Sequence, residues 1–247
     1  MASRINVDEV LNLYSKGKSN KQIAKELKRD EHAIGKIIKN NNLKPYNSGS
    51  EFIKINNMDE IIGTLLGDSS IKYGTSKYPC LSFTHSIKQK EYYEYKVSLF
   101  SYLSTGRPFK HYVKDNKYGK SIMYSFNTKY LKCLEDVEKT FYVGRKKIIP
   151  IQFLYSNFND KSLALLFMDD GNLNHKSVNL NLQGFDIVNL QQFITFLKDR
   201  FDLEWTIQKN RSYYRLYLKT KSVHKFLNIV SPYIINSMRY KLPECHL

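Results

Sequence analysis

"LALLFMDDGN", residues 163–172, sets an almost wholly apolar run directly against two aspartates and a glycine. A helix that is apolar all round belongs inside a protein. Its C-terminal pole carries partial negative charge, so carboxylates there either sit exposed or invite a cation. On the bland reading, Gly171 is the left-handed cap of an exposed helix end. On the chemical reading, the acids are ligands. Taken alone, the stretch favours the bland reading.

The rest of the chain favours the chemical one. "MDEIIGTLLGDSSI" (58–71) repeats the plan of "KSLALLFMDDGNLN" (161–174): a short apolar helix ending in an aspartate, Asp68 and Asp170 respectively. The matching continues downstream. "CLSFTHS" parallels "NLNLQGF" as a strand, "EYYEYKVSLFSYL" parallels "IVNLQQFITFLKDRF" as a helix, and "SIMYSFNTK" parallels "YYRLYLKTK" as a further strand. Each half closes on a lysine near a proline, Lys147 in "GRKKIIP" and Lys241 in "SMRYKLP". A long unit repeated only twice implies two subdomains about a pseudo-two-fold axis, not a solenoid.

"IIGTLLGDS" and "LALLFMDDG" resemble the paired signature of the LAGLIDADG homing endonucleases in their two-repeat, single-chain form. The resemblance spans about residues 55–247 and includes "HSIKQKEY", "LNLQGF" and "MRYKLP". It implies an α+β fold: two pseudo-two-fold-related αββαββα repeats, 58–155 and 156–247, forming saddle-shaped antiparallel sheets that lie along DNA. It also implies that the motif helices pack on each other and that each ends in a metal-binding aspartate. The implied activity is a metal-dependent staggered double-strand cut across the minor groove, at a long target site, by a monomer.

The residues carry parts of this independently. Gly63 and Gly67 lie four apart, leaving one helix face bare for close approach by the second helix. Such packing brings Asp68 and Asp170 together at two negative helix ends, where bound cations relieve the repulsion. Oxygen ligands without His or Cys select Mg²⁺, with Mn²⁺ able to substitute, and a metal pair suits phosphodiester hydrolysis. Gly67 and Asp169 are expected as further contributors at the metal, Asp169 through its backbone carbonyl. Gln183 is the candidate for positioning water. Lys147 and Lys241 either orient that water and offset charge at the scissile phosphate, or simply anchor phosphate. Two departures stand out. Ser69 occupies the position where the first motif usually has glycine, at a cost of about 1 kcal/mol if that residue is left-handed. Leu165 replaces the second motif's helix glycine, predicting an asymmetric crossing.

Alternation in "NLNLQ" sets Asn179, Asn181 and Gln183 opposite Leu180 and Leu182, with Ser82 and Thr84 matching Asn181 and Gln183 in the first repeat. In "YYRLYLK", Tyr213, Arg215, Tyr217 and Lys219 share the face opposite Tyr214, Leu216 and Leu218. These faces suit base edges and phosphates, or are ordinary solvated sheet surface.

Before the repeats, residues 1–47 show three short helical segments with Ser19 and Asp30 as caps. "GKSNKQIAKELKRDEHAIGKII" resembles resolvase-type and transposase-type helix-turn-helix modules, which would place His32, Lys36 and Lys39 on a recognition helix. The alternative is a three-helix protein-interaction module. Residues 48–57 read as a linker.

Composition agrees with a nucleic-acid partner. Lys and Arg number 39 against 23 Asp and Glu, giving a net charge of +16. The expected partner is double-stranded DNA, with host intron RNA as a second possibility. A membrane partner is not expected, because no apolar run approaches the roughly 20 residues that span a bilayer. The polar start and three scattered cysteines, Cys80, Cys133 and Cys245, point away from secretion and toward a bacterial or phage-like cytoplasm or an organellar matrix. Two other functions fit the same scaffold: an intron-encoded RNA-splicing maturase, and a DNA-binding regulator that does not cleave.

Overall fold

The computed structural model describes residues 5–16, 18–43, 54–74, 76–104, 110–116, 119–174 and 177–243. Three helices come first: α1 (Val7–Ser15), α2 (Asn20–Leu27) and α3 (Glu31–Asn40). Each has a side-chain cap that satisfies orphan N–H groups of its first turn. Asn6 caps α1, Ser19 and Gln22 form a reciprocal box on α2, and Asp30 accepts from Ala33 N–H at 3.0 Å on α3. Their apolar faces close around Val10, Ile23, Ile34 and Ile38, and Tyr78 from beyond the linker joins that small core. The module therefore rests on the first repeat. Most of the expected linker, 48–53, lies outside the described residues.

The remainder alternates helices and strands twice in the same order. The first pass is α4 (Met58–Leu66), β1 (Ser70–Tyr73), β2 (Pro79–Ser86), α5 (Lys90–Leu99), β3 (Lys110–Asn116), β4 (Gly119–Asn127) and α6 (Cys133–Phe141). A two-stranded ribbon, β5 (Tyr142–Val143) with β6 (Lys146–Lys147), and α7 (Ile151–Asn157) connect to the second pass. That pass is α8 (Asp160–Asp170), β7 (Gly171–Asn174), β8 (Ser177–Leu180), α9 (Ile187–Phe201), β9 (Trp205–Asn210), β10 (Tyr213–Leu218) and α10 (Thr220–Val230). Helix α7 runs through the division expected at 155/156.

The two four-stranded antiparallel sheets have equivalent orders, β1-β2-β4-β3 and β7-β8-β10-β9. One core joins them, with α4 and α8 at its centre. All seven residues from Glu60 to Leu66 and all seven from Ser162 to Met168 are buried. The apolar run that opened the sequence is thus an interior helix packed on its counterpart. Among the described residues no helix is long and apolar enough to cross a membrane.

Candidate active site

The α4–α8 crossing is a backbone contact. A Cβ on Gly63 would lie 2.6 Å from the Ser162 carbonyl oxygen and 2.9 Å from Leu165 Cβ. A Cβ on Gly67 would lie 2.5 Å from Asp169 Cβ. The glycine face forecast from spacing is therefore the crossing point, and Leu165 fills the notch left by Gly63. Close approach sets the two helix C-termini side by side, so that Asp68 and Asp170 line one cleft of about 210 Å³ with Lys147, Asn181 and Gln183.

Desolvation first, then the charges of Asp68 and Asp169, push the Asp170 carboxyl up to about 7. Desolvation and then Asp169 also raise Asp68, whose side chain is 40% exposed. Both shifts mark carboxylates short of a counter-cation. Each lysine sits under one helix end. Lys147 Nζ donates to the carbonyls of Leu65 (2.7 Å), Gly67 (3.2 Å) and Ser69 (2.8 Å). Lys241 Nζ donates to those of Phe167 (3.3 Å), Met168 (2.5 Å) and Asp169 (3.4 Å). An ammonium has three donors, so both are fully engaged in neutralising the helix termini. Burial lowers the pKa of both, against the pull of the nearby aspartates.

Neither motif end contains the left-handed residue considered from sequence. Gly171 is extended (φ −85°, ψ 152°), and a Cβ there would strike the Phe167 ring at 2.0 Å. Glycine is required at 171 for space. Ser69 does not have positive φ, so its expected strain is absent. Instead its hydroxyl pairs with that of Thr64 at 2.5 Å.

The Asp169 side chain has a role that sequence reasoning missed. Its carboxylate is fully buried and accepts from Lys96 Nζ at 3.0 Å on both oxygens, from the Tyr92 hydroxyl at 2.7 Å, and from Thr64 and the Asp68 N–H at 3.2 Å. A signal was present. Tyr92, Tyr93, Lys96 and Phe100 share one helical stripe, so Lys96 is a lone cation on a buried face. Asp68, His85 and Asp169 place ligand atoms within 4.8 Å of one another. The Asp169 oxygens are already committed to Lys96, Tyr92, Thr64 and the Asp68 N–H, which leaves that trio without a free second carboxylate. We therefore place the candidate cation position between Asp68 and Asp170, where the donors are oxygens.

The expected DNA-facing residues divide. On β10 Tyr213 is exposed and Arg215 and Tyr217 are half-buried, opposite the buried Leu216 and Leu218; on β2 Thr84 is half-buried and its hydroxyl bonds Ser125 at 3.2 Å. Three placements need correction. Ser82 (5% exposed) and Asn179 (0%) lie on central strands between Ser70 and Asn127, and between Asn172 and Tyr217, so neighbours on both sides bury them. Lys219 has left β10 to begin α10, and its Nζ pairs with Glu204 at 3.2 Å. Strand β8 also ends at Leu180, earlier than the alternation suggested. Asn181 then bonds the Asp170 carbonyl through N (2.9 Å) and Nδ2 (3.0 Å), and the turn that follows delivers Gln183 to the cleft. His32, Lys36 and Lys39 are exposed together on α3.

Two apolar helices meet through glycine, and each ends in an acid over a lysine. Residues 58–226 match the LAGLIDADG DNA endonuclease family. The chain belongs to this family. It is 31% identical over 192 residues to the probable intron-encoded endonuclease 1 of Wickerhamomyces canadensis, covering 74% of this chain and 82% of that one. The solved structure of the homing endonuclease I-WcaI bound to its DNA recognition sequence is similar, with a TM-score of 0.70 and 31% identity over 75% of this chain and 85% of that one. Cytochrome b mRNA maturase bI2 of Debaryomyces hansenii is 26% identical over 195 residues, 75% of this chain and 72% of that one. Within this LAGLIDADG chain, helices α1–α3 precede the matched segment.

Proposed function

We propose that the protein is a homing endonuclease that makes a Mg²⁺-dependent staggered double-strand cut at a long DNA site. The observation that carries this reading is the convergence of Asp68 and Asp170, both with raised pKa, in one cleft at paired helix termini. A hard divalent cation fits their oxygen donors. When bound, it would polarise the scissile phosphate and supply a hydroxide at neutral pH. The chain's own part is to hold the two carboxylates together, to neutralise the helix termini through Lys147 and Lys241, and to offer Gln183 to a water. The test is incubation with DNA spanning the intron-less or gene-less allele of its locus, with and without Mg²⁺. Two fragments only with metal support the proposal, and intact DNA under both conditions opposes it.

A second reading, RNA-splicing maturase activity, is favoured by the similarity to maturase bI2. Splicing of the host intron by the purified protein, with DNA cleavage absent, would select it.

Replacing the lysines separates strand chemistry from anchoring. Lys147→Met and Lys241→Met are expected to slow different strands, so that each variant accumulates nicked circle from supercoiled target. Equal slowing of both strands, in proportion to lost thermal stability, would confine the lysines to holding the helix termini.

The N-terminal helices are proposed to contact DNA through His32, Lys36 and Lys39. Because their core includes Tyr78, removing the module would uncover that ring, and charge reversal is the cleaner perturbation. Lys36→Glu/Lys39→Glu should weaken binding and flatten the log–log salt slope by roughly 0.9 for each phosphate that is no longer neutralised. Nuclease protection should shorten at one end only, on the first-repeat side. An unchanged footprint and slope would make the module a protein-interaction element.

A further inference from the structure

The two motif helices are not equivalent where they end. Gly67 in the first repeat stands opposite Asp169 in the second, and only one of them has a side chain. At Gly67 (φ −96°, ψ −130°) the chain leaves the helix, and the Ser69 N–H reaches back to the Thr64 carbonyl at 2.9 Å. This frees the Asp68 N–H from the helical ladder, and it donates across the helix pair to Asp169 Oδ2 at 3.2 Å. Asp169 is itself immobilised by Lys96 and the Tyr92 hydroxyl, both rooted in α5 of the first repeat. Asp170 receives no such contact from Gly67. Its carbonyl is tied to Asn181 of its own repeat.

We propose that Lys96, Tyr92 and Asp169 form a positioning clamp that fixes the backbone bearing Asp68, so that one half of the active centre is preorganised and the two DNA strands are cut at unequal rates. This rests on the endonuclease reading for its strand asymmetry. Its effect on Asp68 is independent of cleavage. Without the Asp169 carboxylate the Asp68 N–H would lose its acceptor across the helix pair, and the Asp68 carboxylate would lose its fixed direction into the cleft. Small displacements of a positioned group cost rate steeply, by about 10²-fold for 1 Å. The strand affected is the one that depends on Lys147, because that ammonium holds the Gly67 and Ser69 carbonyls on either side of Asp68.

Two variants test the clamp. Tyr92→Phe removes one 2.7 Å hydrogen bond and keeps the ion pair. Lys96→Met/Asp169→Asn removes both buried charges together and leaves neither unpaired. Three measurements apply to each full-length protein: thermal midpoint without metal, affinity for Ca²⁺ by calorimetry, and the rate of cutting of each end-labelled strand in Mg²⁺. The expected result for Tyr92→Phe is a thermal midpoint lowered by a few degrees, as for the loss of one charged hydrogen bond, and Ca²⁺ affinity weakened several-fold. One strand should be slowed about tenfold, with the other within about twofold. The slowed strand should be the one slowed by Lys147→Met, and the double variant should show the same pattern more strongly. Unchanged Ca²⁺ affinity in both variants, or equal slowing of both strands in proportion to lost thermal stability, overturns the proposal and leaves the network as core packing. If the wild-type protein cuts no target, the endonuclease reading has failed, and the Ca²⁺ affinities still decide whether the clamp positions Asp68.

Discussion

Asp170→Asn is expected to reduce double-strand cleavage on the order of 10³-fold or more while leaving target binding within a few-fold of wild type. The amide keeps the shape of the carboxylate and its place beside Asn181, so neither the helix crossing nor the sheets have reason to move. What is lost is a negative oxygen facing Asp68 across the cleft. Cleavage kinetics and binding in Ca²⁺, measured on the same target duplex, separate the two effects. An Asp170→Asn protein that cuts at the wild-type rate in Mg²⁺ would remove Asp170 from the catalytic centre.

The same substitution has an opposite effect on stability, with a defined pH dependence. The folded Asp170 carboxyl titrates near 7 against an ordinary value of 3.8. Between those pH values the native state retains a proton that the unfolded chain has released. Metal-free wild type therefore loses stability as pH rises from about 4 to about 7, and stays at the lower level above that. Asparagine has no such proton to lose. In EDTA the variant should match wild type near pH 4 and exceed it by an amount on the order of 1–3 kcal/mol above pH 7. Mg²⁺ should narrow the gap by stabilising only the wild type. A pH-independent difference between the two proteins would mean that Asp170 is already an ordinary solvated acid.

What could be read from sequence was what local pattern determines. The motif helices, the glycine face of the first and the converging acids follow from apolar runs that break at Asp68 and Asp170, and from the spacing of Gly63 and Gly67. The lysines could be matched because each follows its motif at a corresponding distance. Other features depend on contacts between segments distant in the chain. Nothing near Asp169 reveals that its carboxylate turns to Lys96, 73 residues earlier. Adjacent acids on one helix end look alike until a second helix distinguishes them. Ser82 and Asn179 have the alternation of surface residues, yet their burial is imposed by flanking strands that alternation cannot describe. Lys219 continues the polar face of β10 in sequence, but the start of α10 and the charge of Glu204 turn it away.

Gly63→Ala should force the two motif helices apart, because the added carbon has nowhere to go. Its nearest neighbour would be the Ser162 carbonyl at 2.6 Å, a backbone atom of a buried helix. Trimming Leu165, at 2.9 Å, therefore cannot relieve the clash. The helices must separate, and the whole core that depends on their contact must shift with them. Overpacking of this kind costs about 1–3 kcal/mol, and a rigid backbone neighbour favours the upper end. Alanine's better helix propensity recovers up to about 1 kcal/mol of this, which makes any net loss a measure of the steric term. A fall in thermal midpoint of roughly 5 °C is expected. Cleavage of both strands should fall together, because separation moves Asp68 away from Asp170 instead of disturbing one side. Gly184→Ala is the matching control: it sits at the same cleft with nothing within 4 Å of its added carbon, and its thermal midpoint should stay within about 1 °C of wild type. If Gly63→Ala proves as stable and active as wild type, the α4–α8 crossing is looser than the structure shows, and the pairing of the two aspartates loses its physical basis.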